Sequence, residues 1–167
     1  FAMPDNSKSA IVQGISRVKI LDYVEKEPYF KAAVSTISDD PIGDDLELVG
    51  ISDNLRKSFS DLIKVAPNLT EEHTGMLSNI QKPNRLVDRA ISLMTLSNQE
   101  KQGILEETNV KKRIEKAISI INREIQRIKL GDEIQTEVHD EIAKTQREYY
   151  LREQMKAIQK ELGEDEG

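Results

Sequence analysis

The hydrophobic period changes along the chain, from two to that of a helix. Arg17 to Val24 is rich in β-branched and aromatic residues, with Val18 and Ile20 on one face and Lys19 opposite. Phe30, Ala32, Val34 and Thr36 then alternate with Lys31, Ala33 and Ser35. Glu25-Lys26-Glu27-Pro28 reads as the turn between two strands. Upstream, Ala10-Ile11-Val12 predicts a third extended piece that Gly14 punctuates. Phe1-Ala2-Met3 predicts a stub before the turn cluster Pro4-Asp5-Asn6-Ser7. Three strands and a stub cannot close a sheet and would leave bare edges. The expectation is the closing part of a larger β unit whose first strands are missing. Its edges should pair with a neighbouring copy or be mobile.

Asp39-Asp40-Pro41-Ile42-Gly43-Asp44-Asp45 reads as a solvated acidic joint and helix start. It lacks the alternating oxygen ligands of a calcium loop. Beyond it the period is helical. Leu46, Val49, Leu55, Phe59, Leu62, Ile63 and Ala66 fit one stripe, ended by Pro67. Thr70-Glu71-Glu72 opens a second helix with a polar cap and first-turn acids. Pro83 opens a third, with Leu86, Val87, Ala90, Ile91 and Met94 as its apolar face. Ser97-Asn98-Gln99-Glu100 is a capping box that leads into Ile104 and Leu105.

From about Asn109 to Leu162 there is no proline and one internal glycine, Gly131. Ile114, Ile118, Ile121, Ile125 and Ile128 recur at spacings of four, three, four and three, a heptad seam for a helix contact. The pattern slips at Gly131-Asp132, resumes at Ile134, Val138 and Ile142, and ends at Leu151, Met155, Ile158 and Leu162. A continuous helix here would be about 80 Å long, against about 30 Å for a small domain. Its distal half must project or pack on another chain. Asp140/Lys144 and Glu148/Arg152 are expected as supporting pairs four apart. Gly131 allows a stutter or a kink. The fold class is therefore α+β, mostly α. Residues 1–38 form an incomplete antiparallel β subdomain, 39–108 a helical bundle, and 109–167 one very long helix.

Composition narrows the function. Net charge is -6, from 24 Lys and Arg against 30 Asp and Glu, so no strong positive field favours nucleic acid. There is no cysteine, hence no disulfide framework and no thiolate chemistry. No apolar run approaches the ~20 residues of a membrane span, so no membrane partner is expected. Neither G-x-x-x-x-G-K-[ST] nor G-x-G-x-x-G occurs. His73 and His139 lack partners at ligand spacing and read as structural. Ser7-Lys8-Ser9 and Lys57-Ser58 offer no desolvated lysine for a nucleophile pair. No catalytic, cofactor-binding or metal-binding residue is assigned. Tyr149 and Tyr150 hold half of the four tyrosines on a charged helix. Either one ring packs into a helix contact and the other lies on the surface, or an exposed aromatic grips a partner chain. Met155 suits seam packing or an adaptable surface.

Residues 144–164, Lys-Thr-Gln-Arg-Glu-Tyr-Tyr-Leu-Arg-Glu-Gln-Met-Lys-Ala-Ile-Gln-Lys-Glu-Leu-Gly-Glu, closely resemble the segment before the ATPase module of Lon proteases. Residues 97–106 resemble that family's short helix before the long one. Pro4-Asp5-Asn6, Val12-Gln13-Gly14, Arg17 to Leu21 and Glu27-Pro28-Tyr29 resemble the closing strands of its amino-terminal β subdomain. The resemblance runs through the whole chain in order. It implies a fragment of the amino-terminal region, with a remnant of a PUA-like barrel, and without the AAA+ module or the Ser/Lys protease dyad. It also implies a longer parent that is an ATP-dependent serine endopeptidase using ATP and magnesium, and a homohexamer.

The function expected from the resemblance is non-catalytic recognition of unfolded or damaged proteins, with a part in assembly between neighbouring subunits. The alternatives are a self-associating coiled-coil scaffold, motivated by the isoleucine seam, or a weak, salt-sensitive nucleic-acid contact. The compartment implied is the bacterial cytoplasm, with an organelle matrix as the other possibility.

Overall fold

The computed structural model describes residues 7–10, 12, 14–42 and 46–162. A β-hairpin of β1 (Arg17–Glu25) and β2 (Lys31–Ile37) precedes five helices. These are α1 (Leu46–Ile63), α2 (Glu71–Ser78), α3 (Pro83–Ser92), α4 (Asn98–Leu105) and α5 (Val110–Glu161). The fold is α+β and mostly helical, as the periods predict.

The strands pair antiparallel, from Arg17 opposite Ile37 at the open end to Glu25 opposite Lys31 at the turn. Two bulges leave Leu21 and Val24 without cross-strand partners. The turn carries a cis Glu27–Pro28 bond. Among the described residues the sheet holds two strands, not three and a stub. Ala10 and Val12 lie outside any strand, while Lys8 makes an isolated bridge. Phe1 to Met3 and Ile11 lie outside the described residues.

The core belongs to the helices. Leu55, Phe59 and Leu62 of α1, Leu86, Val87 and Ala90 of α3, and Ile114, Ala117 and Ile121 of α5 are fully or almost fully buried together. Leu77 of α2 and Ile104 of α4 close the sides. The first turn of α1 corrects the expected stripe. Leu46 and Val49 point to solvent, while Leu48 and Ser52 face inward, and the Ser52 hydroxyl donates to the Leu48 carbonyl at 2.7 Å. The inward face starts one position off the residues that alternate best, because packing against α5 sets the helix rotation.

The helix ends follow their local chemistry. Thr70 caps α2, and its backbone N–H donates to His73 Nδ1 at 3.0 Å, which gives that histidine a structural role. Ser97 and Glu100 close the predicted capping box, with the Ser97 N–H donating to the Glu100 carboxylate at 3.0 Å. Asn109 caps α5 by accepting from the Lys112 N–H at 3.0 Å.

Helix α5 runs unbroken through Gly131 for 52 residues, about 78 Å at 1.5 Å per residue. Its first five turns, as far as Ile128, pack on α1, α3 and α4. From residue 129 onward every described position is exposed, so roughly 50 Å of helix stands clear of the bundle. Asp140/Lys144 and Glu148/Arg152 are absent from the ion pairs of the described residues. Glu124–Arg127 and Glu153–Lys156, three apart, close instead.

Two variants test this division. Phe59→Ala should lower unfolding free energy by about 3–5 kcal/mol in urea denaturation, since its ring is wholly enclosed. Gly131→Ala meets nothing within 4 Å and should leave that stability unchanged while slowing amide exchange around residue 131, by a helix gain of about 1 kcal/mol.

Candidate interaction surfaces

The hairpin, the joint and three helices meet at one polar cluster. Arg113, near the root of α5, has a wholly buried side chain. Its guanidinium donates to Asp39 in the joint, to Asp88 of α3 at 3.4 Å, and to the Glu107 carbonyl at 2.7 Å. Arg17, the first residue of β1, donates to the same two carboxylates, at 3.2 Å to Asp39 and 2.6 Å to Asp88, and to the Leu105 carbonyl at 3.0 Å. The Asn84 amide completes Asp39 at 3.0 Å. Backbone joins in, as the Asp40 N–H donates to the Thr108 carbonyl at 3.1 Å. Within the described part of the joint Asp39 is an anchor, while Asp40, Pro41 and Ile42 are exposed, as a solvated joint predicts. Sequence reasoning assigned no role to Arg17, Asp88 and Arg113. The available signal was a charge beside each apolar stripe, Arg113 before Ile114 and Asp88 after Val87.

Burial by itself would raise the Asp39 carboxyl. Hydrogen bonds from Arg113 and Asn84, with the charges of Arg113 and Arg17, outweigh it and hold the group below its ordinary value. Glu107, beside Lys116, and Glu100, bonded to Ser97, are also held low, at more exposed positions.

Two surfaces lie to either side of this cluster. On the hairpin, cross-strand pairing puts Val18, Ile20 and Tyr23 on the same face as Thr36, Val34 and Ala32. The Tyr23 and Phe30 rings meet edge to face at 5.7 Å between centroids. Val18, Ile20, Tyr23 and Val34 stay about half exposed and Phe30 more so. Lys19, Asp22 and Ser35 occupy the other face. This is an amphipathic sheet with no helix over its apolar side.

The second surface is the rod. The isoleucine seam faces the chain's own bundle: Ile114 and Ile121 are buried, and Ile118, Ile125 and Ile128 pack partly against the core. Ile114 and Ile121 are taken up within this chain, and Ile118, Ile125 and Ile128 keep part of their surface exposed. Farther out, Tyr149 is 67% exposed, Tyr150 62% and Met155 62%, so neither ring is taken into a contact within this chain. The Tyr150 hydroxyl accepts from the Gln154 amide at 3.0 Å. At 3.6 residues per turn, the seam, the Ile134–Val138–Ile142 stripe and the Leu151–Met155–Ile158–Leu162 stripe point in three directions roughly 120° apart. Charge is segregated too. Asp132, Glu133, Glu137, Asp140 and Glu141 make residues 131–142 acidic with no Lys or Arg among them.

Among the described residues no group of His, Asp and Glu is arranged to hold a metal ion. Nor is any helix of the described residues long and apolar enough to cross a membrane.

The polar cluster carries a testable pH dependence. A carboxyl held low in the folded chain contributes stability that is complete above its unfolded value and lost as pH falls through the folded one. Urea stability should therefore decline on acidification below the ordinary value of 3.8. Asp39→Asn should remove part of that decline. At neutral pH it should also cost about 3 kcal/mol, because Arg113 stays buried with a carboxylate fewer.

Comparison with known proteins converges on one family. Residues 1–123 match the family described as the ATP-dependent protease La (LON) substrate-binding domain. That span ends just past Ile121, where full burial of α5 also ends. The chain is 42% identical over 161 residues to the Lon protease of Dictyoglomus thermophilum, covering 96% of this chain and 20% of that protein. It is 38% identical over 156 residues to the Lon protease of Syntrophus aciditrophicus, covering 93% and 20%. It is 39% identical over 165 residues to the Lon protease of Koribacter versatilis, covering 98% and 20%. The chain thus spans about a fifth of the length of these relatives, and their similarity continues along the rod beyond residue 123. It belongs to the Lon substrate-binding domain family.

Proposed function

We propose that this chain is the part of a Lon-type ATP-dependent protease that takes hold of unfolded or damaged protein chains, without itself hydrolysing them. The observation that carries this reading is the bare apolar face of the hairpin, held away from the helices and backed by a polar face. Unfolding exposes apolar side chains, so such a face selects a physical state rather than a sequence. If a bound segment covers roughly 300 Å² of it, burial returns about 7 kcal/mol at about 25 cal/mol per Å². Loss of translational and rotational freedom takes back at least about 4 kcal/mol. The contact is then weak and broad, which suits a module that must release what it binds.

In this reading the rod is a spacer. It sets the hairpin tens of ångströms from whatever follows, where ATP and magnesium would act in the longer protein. Tyr149, Tyr150 and Met155 lie near its far end, where rings and a flexible thioether suit transient contact with a chain passing along it. Ile134, Val138 and Ile142 face another way, which suits contact with neighbouring subunits of a homohexamer.

Binding to a reduced, carboxymethylated, permanently unfolded protein tests the proposal. Replacing Ile20 and Val34 together by serine should weaken binding at least about tenfold, the equivalent of 1.4 kcal/mol. The helical melting transition should not move, since neither residue touches the core. Unchanged affinity would remove the hairpin from substrate binding. In the longer protein, deleting residues 1–130 should spare peptide hydrolysis and impair degradation of the unfolded protein. Equal loss of both would assign the region to assembly instead.

A further inference from the structure

The hairpin is attached to the bundle by little apart from one side chain. Every residue of β1 and β2 is exposed except Arg17, Ala32 and Ile37, and neither strand lies along a helix. Arg17 sits at the open end, opposite Ile37, where the hairpin meets the joint. Its guanidinium reaches three acceptors on three segments: Asp39 of the joint, Asp88 of α3 and the carbonyl of Leu105 at the end of α4. Both carboxylates are shared with Arg113, which is buried at the root of the rod. One planar group therefore links the strands to the helices, and the two shared acids carry that link to α5.

We propose that Arg17 is the positioning residue that fixes the direction of the hairpin's apolar face relative to the rod. This rests on reading that face as the substrate surface. The fork of a guanidinium holds its donors in one plane, so three simultaneous acceptors define an orientation and not only a distance. A lysine ammonium is a point charge on a flexible stem and fixes the distance alone. Without Arg17 the polar restraints left at the exit of β2, among the described residues, are Asp39 held by Arg113 and Asn84, and the single Asp40–Thr108 backbone bond. Both leave rotation about the exit of β2 open. Arg113 would keep its own two carboxylates, so the bundle would stay intact while the hairpin loosened.

The absence of cysteine allows unambiguous labelling. Ser35→Cys on the polar face of the hairpin and Gln126→Cys on the rod place two nitroxides, and double electron–electron resonance reads the distance distribution between them. With Arg17 present a single narrow distribution is expected. Arg17→Gln should broaden it about twofold once the chain at 38–42 is the main restraint. Arg17→Lys should fall between, and Lys19→Gln on the same strand should change nothing. Circular dichroism follows the bundle in each variant. A distribution as narrow with Arg17→Gln as with arginine overturns the proposal. If Arg17→Gln unfolds the helices, Arg17→Lys decides by the same criterion. Affinity for the carboxymethylated protein, measured on the same variants, separates the two claims. A broadened distribution with unchanged affinity would leave the positioning role standing and remove the face from substrate binding.

Discussion

Arg113 is the constraint around which the chain is organised. A guanidinium cannot shed its charge, so burying it is tolerable only where carboxylates and carbonyls are delivered to it. Here Asp39, Asp88 and the Glu107 carbonyl are delivered by three segments far apart in sequence. Each must therefore be in place before the charge is compensated. That ties the joint, α3 and the turn before α5 to one arrangement, and Arg17 adds the strands to it. Apolar packing among α1, α3 and α5 supplies most of the driving force, but it is non-directional. The ion cluster sets how those helices and the hairpin are turned.

The rod follows from the same root. Arg113 lies in the first turn of α5, so whatever fixes that turn fixes a lever about 78 Å long. Small rotations at the cluster become large displacements at Tyr149 and Tyr150. The lever's apolar residues are split among three azimuths, so a partner that runs parallel to it meets one stripe and then loses it. A continuous two-stranded coiled coil over the whole length would need one seam; the isoleucine seam faces the chain's own helices, and the Leu151–Met155–Ile158–Leu162 stripe, also spaced four, three and four, is exposed but on another azimuth. The outer stripes are too short and too divergent in azimuth to form one continuous seam.

Local signals recovered most of the elements. Pro83, the Ser97–Glu100 box and the isoleucine spacing each fix a helix through chemistry confined to a few residues, and each is where the sequence places it. The two hairpin strands are legible for the same reason. The first turn of α1 is not, because Leu46, Leu48 and Val49 are equally apolar and only contact with α5 chooses among them. The polar cluster was least legible. Asp39 belongs to a run of acids that reads as solvated, and its true partner is 74 residues away. Nothing in local spacing joins two residues at that separation. On the rod, periodicity found the stripes but could not say which were covered, since cover is supplied by other elements.

A weakly attached hairpin is a reasonable place for a binding face. Two strands alone are marginal in water, and these are not shielded by any helix. Their apolar side is therefore close in free energy to rearrangement, which on the proposed reading would let it adjust to many chain segments at low cost. The bundle cannot do this, because its side chains interlock and any shift opens cavities. Adjustment without loss of direction requires a pivot that is rigid and polar rather than soft and apolar. Hydrogen bonds to a planar guanidinium supply directionality that apolar packing lacks. The division of labour then has a physical basis: compliance in the strands, direction in Arg17, and reach in α5.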